Sequence, residues 1–446
     1  MDVQVACNIS SLKCDEESSG PLALIIIPSL LALSTLTVVS LIIWSFLSKK
    51  PSVQRILVSL QRRNGPSSLQ TVSVTAPGNG ALRSWEMPAD YILEEVEFLK
   101  NGRYGPTCKG QLKLDGAATA VVLKTLKGTS NSQEAKVFVE LALFHVAVCK
   151  HENVVRMLYC QTRHFPMYLI FEAVAPGNLL HFLWSLREGA SGFCHRLQCF
   201  SEKSVYLVAK QVASGLDYLL SEHRLVHGYV AARSMLIGSG LSVKVSGLAM
   251  AFETRQTGTV EKEEEAKVPL KWQAPERLMR LPITSRSDVW SFGILLYELI
   301  TLGEPPFPEL DPSEICPKTL ANYKLKRPQN CGGALYDLMK YCCMWDFKDR
   351  PVYPAIIKLL ESYIHLADTK PLSAAQPIDI CEYMRKAGLG FQHPVMRIEA
   401  LAHHEKDHGH SSDAKHSHIT PSKERCAGEN GRGIDAWQAT VHERNT

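Results

Sequence analysis

The chain has 446 residues, enough for two or three average domains or for one large two-lobed domain with extensions. Hydrophobic residues make up 45% of the sequence and charged residues 21%, which is close to the globular average and excludes a largely unfolded chain. The formal net charge of +4 is small for this length and no long basic run is present, so nucleic acid is not an expected partner.

The first predicted element is a membrane-spanning helix at residues 22–47. Its 26 positions carry no charged side chain and are rich in Leu, Ile and Val, more than the roughly 20 residues that cross a bilayer. Residues 1–21 are acidic rather than basic, which is unlike a cleavable signal peptide and predicts a retained anchor. Basic residues between 49 and 63 place the following chain in the cytoplasm. We therefore expect a single-pass protein of the plasma membrane with its N-terminus outside.

The predicted outer segment, residues 1–21, is too short to form an independent ligand-binding core. Asn8 begins an Asn-Ile-Ser sequon and is a candidate glycosylation site. Cys7 and Cys14 would face an oxidising compartment, where they would either form a disulfide or remain free. The other eleven cysteines show no zinc-binding spacing and are expected to be reduced thiols, so no metal ligands are assigned.

Composition divides the rest of the chain into three parts. Residues 48–90 are rich in Ser, Pro, Gly and Gln, which predicts a flexible juxtamembrane linker. Residues 91–367 keep apolar periodicity, first strand-like and later helical, which predicts one folded unit. The pattern weakens in residues 368–446, which predicts a disordered C-terminal tail.

Three motifs in the folded part point to one family. Residues 268–276 read Val-Pro-Leu-Lys-Trp-Gln-Ala-Pro-Glu, residues 287–298 read Ser-Asp-Val-Trp-Ser-Phe-Gly-Ile-Leu-Leu-Tyr-Glu, and residues 349–351 read Asp-Arg-Pro. In this order they resemble the end of the activation segment, the central C-lobe helix and the late arginine motif of tyrosine kinases. The resemblance covers residues 91–367 and implies an α+β, bilobal protein kinase fold with a β-rich N-lobe and a helical C-lobe.

The same resemblance separates structural residues from chemical ones. It implies a buried ion pair between Glu276 and Arg350, and breaking one partner of such a pair typically costs ~3–5 kcal/mol. It also implies framework roles for His227, Arg233 and Asp288. These residues are therefore interpreted as architecture.

Phosphoryl transfer in a kinase needs a lysine for the phosphates, a catalytic aspartate, and an aspartate and asparagine for magnesium. The resemblance implies a glycine-rich loop at residues 99–105, a phosphate-binding lysine at the end of the strand 120–124, and a gatekeeper with an interlobe hinge at 170–174. The helix position that normally holds this lysine with a glutamate carries Leu141 instead. The candidate nucleotide-binding residues are Lys124, Gly102, Gly105, Phe171, Glu172 and Val174.

The catalytic positions depart from the family pattern. Residues 227–234 read His-Gly-Tyr-Val-Ala-Ala-Arg-Ser and resemble the catalytic loop His-Arg-Asp-Leu-Ala-Ala-Arg-Asn. Tyr229 stands where that loop has its aspartate, and Ser234 stands where it has its magnesium-binding asparagine. Gly247 takes the aspartate position of the magnesium motif Asp-Phe-Gly. The implied catalytic groups are therefore all replaced.

This conclusion does not depend on the alignment register. Between Glu222 and Glu253 there are 30 consecutive residues without Asp or Glu, and they span both motifs. Loss of a general base typically costs about 10²- to 10⁴-fold in rate, and loss of the metal removes further transition-state stabilisation. Glu253 itself is expected to be an exposed residue of the activation segment.

The sequence leaves three hypotheses. The first is a pseudokinase scaffold in cytoplasmic signalling, which binds cytoplasmic signalling proteins or active kinases, alone or as a homo- or hetero-dimer. The second is a weak, unconventional ATP-dependent tyrosine kinase, and the third is a pseudokinase that binds ATP as a structural ligand without transferring phosphate. ATP binding is expected to be weak, and magnesium binding is not expected. Tyr383 is interpreted as an exposed tail tyrosine, which is either a target of other kinases or an ordinary tail residue.

Overall fold

A computed structural model of the chain describes residues 80–187, 200–257, 268–372 and 377–388, together with Thr37 and Ser40. Within these residues no helix is both long and apolar enough to cross a membrane. The predicted span at 22–47 lies outside them except for Thr37 and Ser40. Asn8 and residues 401–446 also lie outside the described parts of the chain.

The N-terminal lobe is a five-stranded antiparallel sheet with the order β1-β2-β3-β5-β4 and one long helix. Helix α1 begins after Asn131, whose side chain accepts a hydrogen bond from the Glu134 amide at 2.8 Å, while the Glu134 carboxylate accepts one from the Asn131 amide. This reciprocal cap satisfies two donors at the helix start and fixes where α1 begins. The elements are β1 Ile92–Asn101, β2 Pro106–Leu114, β3 Ala117–Thr125, α1 Ser132–Val148, β4 Met157–Gln161 and β5 Tyr168–Glu172.

The C-terminal lobe is mainly helical and surrounds helix α6, which is buried over most of its length. It also contains a small sheet of order β6-β7-β8. Its strands are β6 Pro176–Asn178, β7 Met235–Gly238 and β8 Val243–Val245. Its helices are α2 Leu179–Arg187, α3 Glu202–His223, α4 Ala249–Thr257, α5 Pro275–Leu278, α6 Ser285–Ile300, α7 Pro312–Leu320, α8 Gly333–Cys342, α9 Tyr353–Tyr363 and α10 Ile380–Ala387. The predicted α+β bilobal fold is confirmed.

The folded unit starts earlier than predicted. The linker was expected to continue to residue 90, but Leu82 is only 1% exposed and lies in the core. The Cys160 amide of strand β4 donates to the Trp85 carbonyl at 2.7 Å, and the Met87 amide donates to the Cys160 carbonyl at 2.8 Å. The prediction of a linker is therefore wrong for residues 80–90, because these backbone bonds attach them to the sheet.

The folded unit also ends later than predicted. A disordered tail was expected from residue 368, but residues 380–387 form helix α10. The Asp379 side chain caps its start, and Gly388, with a φ of 71°, ends it in the left-handed conformation that glycine tolerates. Tyr383, predicted to be exposed, is 2% exposed. Both predictions are corrected for this segment because one face of α10 is buried on the C-lobe.

Candidate functional site

Lys124 lies on strand β3, with its side chain beside Phe171 of strand β5. In the sheet register Lys124 is opposite Leu169 and Val122 is opposite Phe171, so Lys124 and Phe171 are diagonal neighbours on one face. The ammonium lies 4.6 Å from the centre of the Phe171 ring. Burial lowers the pKa of Lys124 to about 8. The side chain beside the predicted phosphate-binding lysine is therefore an aromatic ring.

The usual acidic partner of this lysine is missing. Leu141, at the expected position on α1, is 4% exposed and packs in the core. Its neighbour Glu140 points away and accepts a hydrogen bond from Gln256 of helix α4 at 2.9 Å. Among the described residues, no carboxylate forms an ion pair with Lys124. Neither Leu141 nor Glu140 therefore places a carboxylate beside Lys124 in this structure.

Both glycines of the predicted phosphate loop are required by the packing of the loop itself. A Cβ on Gly105 would lie 2.4 Å from the Thr125 carbonyl oxygen of strand β3. A Cβ on Gly102 would lie 3.0 Å from the Gly105 carbonyl oxygen, to which the Gly102 amide already donates a hydrogen bond at 2.7 Å. Their presence is therefore explained without a phosphate ligand.

The loop between β1 and β2 is held down by the activation segment. Arg103 at its tip forms an ion pair with Glu253 of helix α4, whose side chain is only 7% exposed. The same helix packs on α1, where the rings of Phe252 and Phe144 lie 5.3 Å apart. Helix α4 thus joins the loop and α1 across the space between the lobes. The expectation that Glu253 is exposed is wrong, because Arg103 pairs with it.

The structure places the predicted hinge residues between β5 and β6. Phe171 is 2% exposed at the end of β5, where its ring meets the His145 ring edge-on at 4.8 Å. Glu172 accepts a hydrogen bond from the Arg156 amide at 2.7 Å and pairs with Lys244 at 3.0 Å. Val174 follows in the connection between the two strands. The gatekeeper and hinge positions are therefore where the sequence predicted them.

The catalytic-loop histidine is part of the framework. The backbone amides of His227 and Gly228 donate to the two carboxylate oxygens of Asp288, at 2.7 Å and 2.9 Å. Burial lowers the pKa of His227 to about 4, so the ring is neutral at pH 7. Its Nε2 then donates to the Ser246 carbonyl at 2.8 Å, and its Nδ1 accepts from the Tyr229 amide at 3.1 Å. These contacts fix the loop around Tyr229.

Tyr229 stands at the position of the family's catalytic carboxylate, and its hydroxyl is buried. Burial raises the pKa of its hydroxyl to about 12, so the group keeps its proton at neutral pH. A general base must be unprotonated at the working pH to accept the proton of a substrate hydroxyl. The side chain at this position therefore offers an aromatic surface and not a base.

The two predicted magnesium positions adjoin each other. A Cβ on Gly247 would lie 3.7 Å from the Ser234 Cβ, and Ser246 donates both its amide and its hydroxyl to the Ser234 carbonyl, at 3.0 Å and 2.8 Å. Magnesium in proteins is bound mainly through carboxylate oxygens, and neither position has one. Across the residues that the structure describes, no group of three or more His, Cys, Asp or Glu side chains could hold a metal. The residues at these two positions do not fit the ion.

The predicted ion pair of the C-lobe is present. Arg350 binds Glu276 through two parallel hydrogen bonds of 2.7 Å and 2.8 Å, and Ser287 donates a third to the same carboxylate at 2.9 Å. Arg350 also donates to the Met344 carbonyl at 2.8 Å. The side chains of Arg350 and Glu276 are 0% and 7% exposed. Their role is to lock the end of the activation segment onto the lobe.

Arg233 is a second buried cation of the C-lobe. The sequence predicted a framework role for it but not its contact with Tyr383. The Arg233 guanidinium lies 4.9 Å from the Trp272 ring centre and donates from Nη2 to the Tyr383 hydroxyl at 3.0 Å. Tyr383 also packs edge-on against Trp184, with ring centres 4.9 Å apart. Tyr383 lies on helix α10. The sequence signal that could have predicted this helix is the apolar spacing of residues 380, 383, 384 and 387 between an N-cap and a C-cap.

These features define a protein kinase domain: two lobes joined by a hinge, a lysine on strand β3, and a loop that resembles the catalytic loop. The family model described as protein tyrosine and serine/threonine kinase matches residues 93–360. The chain belongs to this family. Its members generally bind ATP with magnesium.

Similar proteins extend the match beyond the kinase domain. Tyrosine-protein kinase STYK1 of Homo sapiens is 32% identical over 424 residues, which cover 89% of this chain and 96% of that protein. The STYK1 of Mus musculus is 32% identical over 419 residues, covering 87% and 95%. Tyrosine-protein kinase Abl of Drosophila melanogaster is 34% identical over 296 residues, but these cover only 17% of that protein. The likeness to STYK1 thus includes most of both chains.

Proposed function

We propose that this chain is a pseudokinase that acts in cytoplasmic signalling by binding other proteins. The observation that carries this proposal is the loop geometry at Tyr229, Ser234 and Gly247. A protonated tyrosine stands at the base position, and the two adjoining metal positions contain a serine and a glycine. Without a base or a metal ligand, the charge that develops during phosphoryl transfer has no stabilising group.

The contacts around the nucleotide side support the same function. Lys124 has no acidic partner among the described residues, and the loop glycines are explained by their own packing. The ion pair between Arg103 and Glu253 fixes the loop against helix α4. Cytoplasmic signalling proteins, active kinases, or a second kinase-like chain are the partner classes that this function requires.

A phosphotransfer assay tests the proposal directly. The purified full chain, in detergent, is incubated with labelled ATP, magnesium or manganese, and a tyrosine-containing peptide polymer. We expect transfer by the wild type to equal that of the Lys124→Met variant and that of a blank without protein, because neither chain has a base or a metal ligand. An active tyrosine kinase in the same buffer is the positive control. Magnesium-dependent transfer that disappears in Lys124→Met would show the weak kinase instead.

Thermal unfolding with millimolar ATP separates the pseudokinase that binds ATP from one that does not. A ligand that binds only the folded state raises the free energy of unfolding by RT ln(1 + [L]/Kd), and the melting temperature rises with it. We expect the melting curves with ATP to be the same in magnesium and in EDTA, because Ser234 and Gly247 provide no metal ligand. A shift that appears only with magnesium would contradict this expectation.

We propose that residues 22–47 anchor the protein in the plasma membrane with the N-terminus outside. The support is the uncharged apolar run and the basic residues that follow it. If Asn8 is outside, it is exposed to the glycosylation machinery during membrane insertion. We expect glycosidase treatment to lower the mass of the wild-type chain expressed in cells and to leave Asn8→Gln unchanged. The opposite topology would be indicated by two results together: glycosidase leaves the mass of the wild-type chain unchanged, and protease added to intact cells cleaves residues 80–388.

A further inference from the structure

Helix α10 lies across a groove of the C-lobe. Its residue Tyr383 packs against Trp184 of helix α2 at 4.9 Å. Two residues further on, Arg385 forms an ion pair with Asp311, the N-cap of helix α7, at 3.1 Å. A Cβ on Gly388 would lie 3.0 Å from the Pro312 side chain, so the backbone is also in close contact there. The C-terminal half of the helix is thus attached to the C-lobe by these three contacts.

The floor of the groove is a cation surrounded by aromatic rings. Arg233 is 6% exposed, and its guanidinium lies 4.9 Å from the Trp272 ring centre, 5.8 Å from Tyr229 and 6.0 Å from Tyr383. Its Nη2 donates to the Tyr383 hydroxyl at 3.0 Å. Nε and Nη1 have no hydrogen-bond acceptor in the parts of the chain that the structure describes. The Tyr383 hydroxyl is therefore the acceptor that this buried cation uses.

The Tyr383 hydroxyl lies near the position of the catalytic aspartate of kinases. Tyr229 occupies the position of the kinase aspartate, which accepts the proton of a substrate hydroxyl. Tyr229 and Tyr383 flank the same guanidinium, so the tail tyrosine reaches the acceptor end of the kinase cleft. Tyr383 is thus placed beside the lost catalytic position, where phosphoryl transfer would begin in an active family member.

We propose that the groove around Arg233 is a binding site for the tyrosine of an amphipathic helix, and that the chain's own helix α10 fills it as an intramolecular pseudosubstrate. The site goes beyond the proposed function, which concerns the missing reaction, and it stands on contacts that need no catalysis. Its ligand class is an unphosphorylated tyrosine followed by an apolar residue on a helical segment.

The buried face of α10 defines what the groove recognises. Tyr383 and Met384 are 2% and 1% exposed, and Ala387 is fully buried. Glu382 instead pairs with Arg385 and Lys386 of its own helix, at 2.8 Å and 3.4 Å. Recognition therefore depends on the tyrosine and the following methionine, while the glutamate supports the helical conformation.

A phosphate on Tyr383 is incompatible with the docked helix. The hydroxyl is already in contact with Arg233, and burial raises the pKa of Tyr383 above its usual range, so the group is neutral there. Glu298 is fully buried beside this cluster and its Oε2 accepts from the Ala232 amide at 2.9 Å. The 3.0 Å contact between the Tyr383 hydroxyl and Arg233 leaves no space for a phosphate group on this oxygen while the helix is docked. Phosphorylated α10 must leave the groove.

The test uses a fluorescent peptide with the sequence of residues 377–390, whose binding to full-length chains is measured by fluorescence anisotropy. The Tyr383→Ala chain has lost the side chain that fills the pocket and is expected to bind the peptide at least tenfold more tightly than the wild type. Tyr341→Ala removes an exposed tyrosine, 44% accessible, and is the matched control that should behave as the wild type. Peptides with Ala or phosphotyrosine at the position of Tyr383 are expected to bind at least tenfold more weakly.

Equal peptide affinity for the wild-type and Tyr383→Ala chains, or tighter binding of the phosphopeptide, would overturn the proposal. Hydrogen exchange of residues 377–388 decides the matter if Tyr383→Ala does not fold. We expect these amides to be protected in the wild type and to exchange at least tenfold faster in the milder variant Tyr383→Phe, which loses only the hydrogen bond to Arg233. Amides without protection in the wild type would show that α10 does not occupy the groove.

Discussion

Arg350→Met is expected to lower the free energy of unfolding by about 3–5 kcal/mol, because it leaves the Glu276 carboxylate buried without its cation. The variant loses the two bonds of 2.7 Å and 2.8 Å to Glu276 and also the donor to the Met344 carbonyl. Domains are typically stable by only about 5–15 kcal/mol, so this is a large part of the total. The measurement is urea unfolding of the full chain in detergent, followed by tryptophan fluorescence.

Two further variants show whether the loss comes from the pair. Lys348→Met removes an exposed cation from the same loop and should change the free energy of unfolding by less than about 0.5 kcal/mol. The double variant Glu276→Gln with Arg350→Met removes both charges and should lose less than the sum of the two single variants. A loss below about 1 kcal/mol in Arg350→Met would mean that the pair contributes little to the lobe.

In contrast to Arg350→Met, Lys124→Met is expected to raise the free energy of unfolding, by about 1–2 kcal/mol at pH 7. Burial lowers the pKa of Lys124 from 10.5 to about 8, so the folded state holds this proton less tightly than the unfolded state. Below pH 8 the lysine is charged in both states, and the full cost of burying its charge is present. Met fills a similar volume without that charge, although it loses the contact with the Phe171 ring.

The pH dependence gives this prediction a second check. Between pH 8 and 10.5 the unfolded state binds more protons at Lys124 than the folded state, so this residue makes stability rise with pH. The gain in free energy of unfolding of Lys124→Met over the wild type should therefore be largest at pH 7 and decrease toward pH 10. Lys127→Met, at an exposed position just after the same strand, should show no such trend. Destabilisation by Lys124→Met at pH 7 would indicate an ionic partner for this lysine.

The C-lobe could be predicted well because its motifs are short and contiguous. Residues 268–276 and 287–298 carry the resemblance within single elements, and the pair of Glu276 with Arg350 follows from the family pattern. The position of Lys124 was predictable for the same reason, because residues 120–124 read Ala-Val-Val-Leu-Lys and resemble the family's strand that carries this lysine. The lost catalytic groups were visible as a gap in the distribution of acidic residues.

Contacts between distant segments could not be predicted in this way. Glu253 and Arg103 are far apart in the sequence, and nothing around Glu253 distinguishes it from a solvated acidic residue. The helix around Tyr383 had local signals, with Asp379 as its N-cap and Gly388 at its end. The spacing of apolar residues predicts that a helix buries one face, but it does not predict the surface on which that face packs. The docking of α10 therefore required the structure.

The two corrected boundaries have a practical consequence for fragments of this protein. The family model ends at residue 360, and a fragment cut from 93 to 360 would lack both Leu82 and helix α10. The rings of Trp184 and the cavity left around Arg233 would then face water, and apolar patches of this kind promote self-association. Fragments that extend from residue 80 to 388 keep these surfaces covered, so solubility would separate the two designs before any binding is measured.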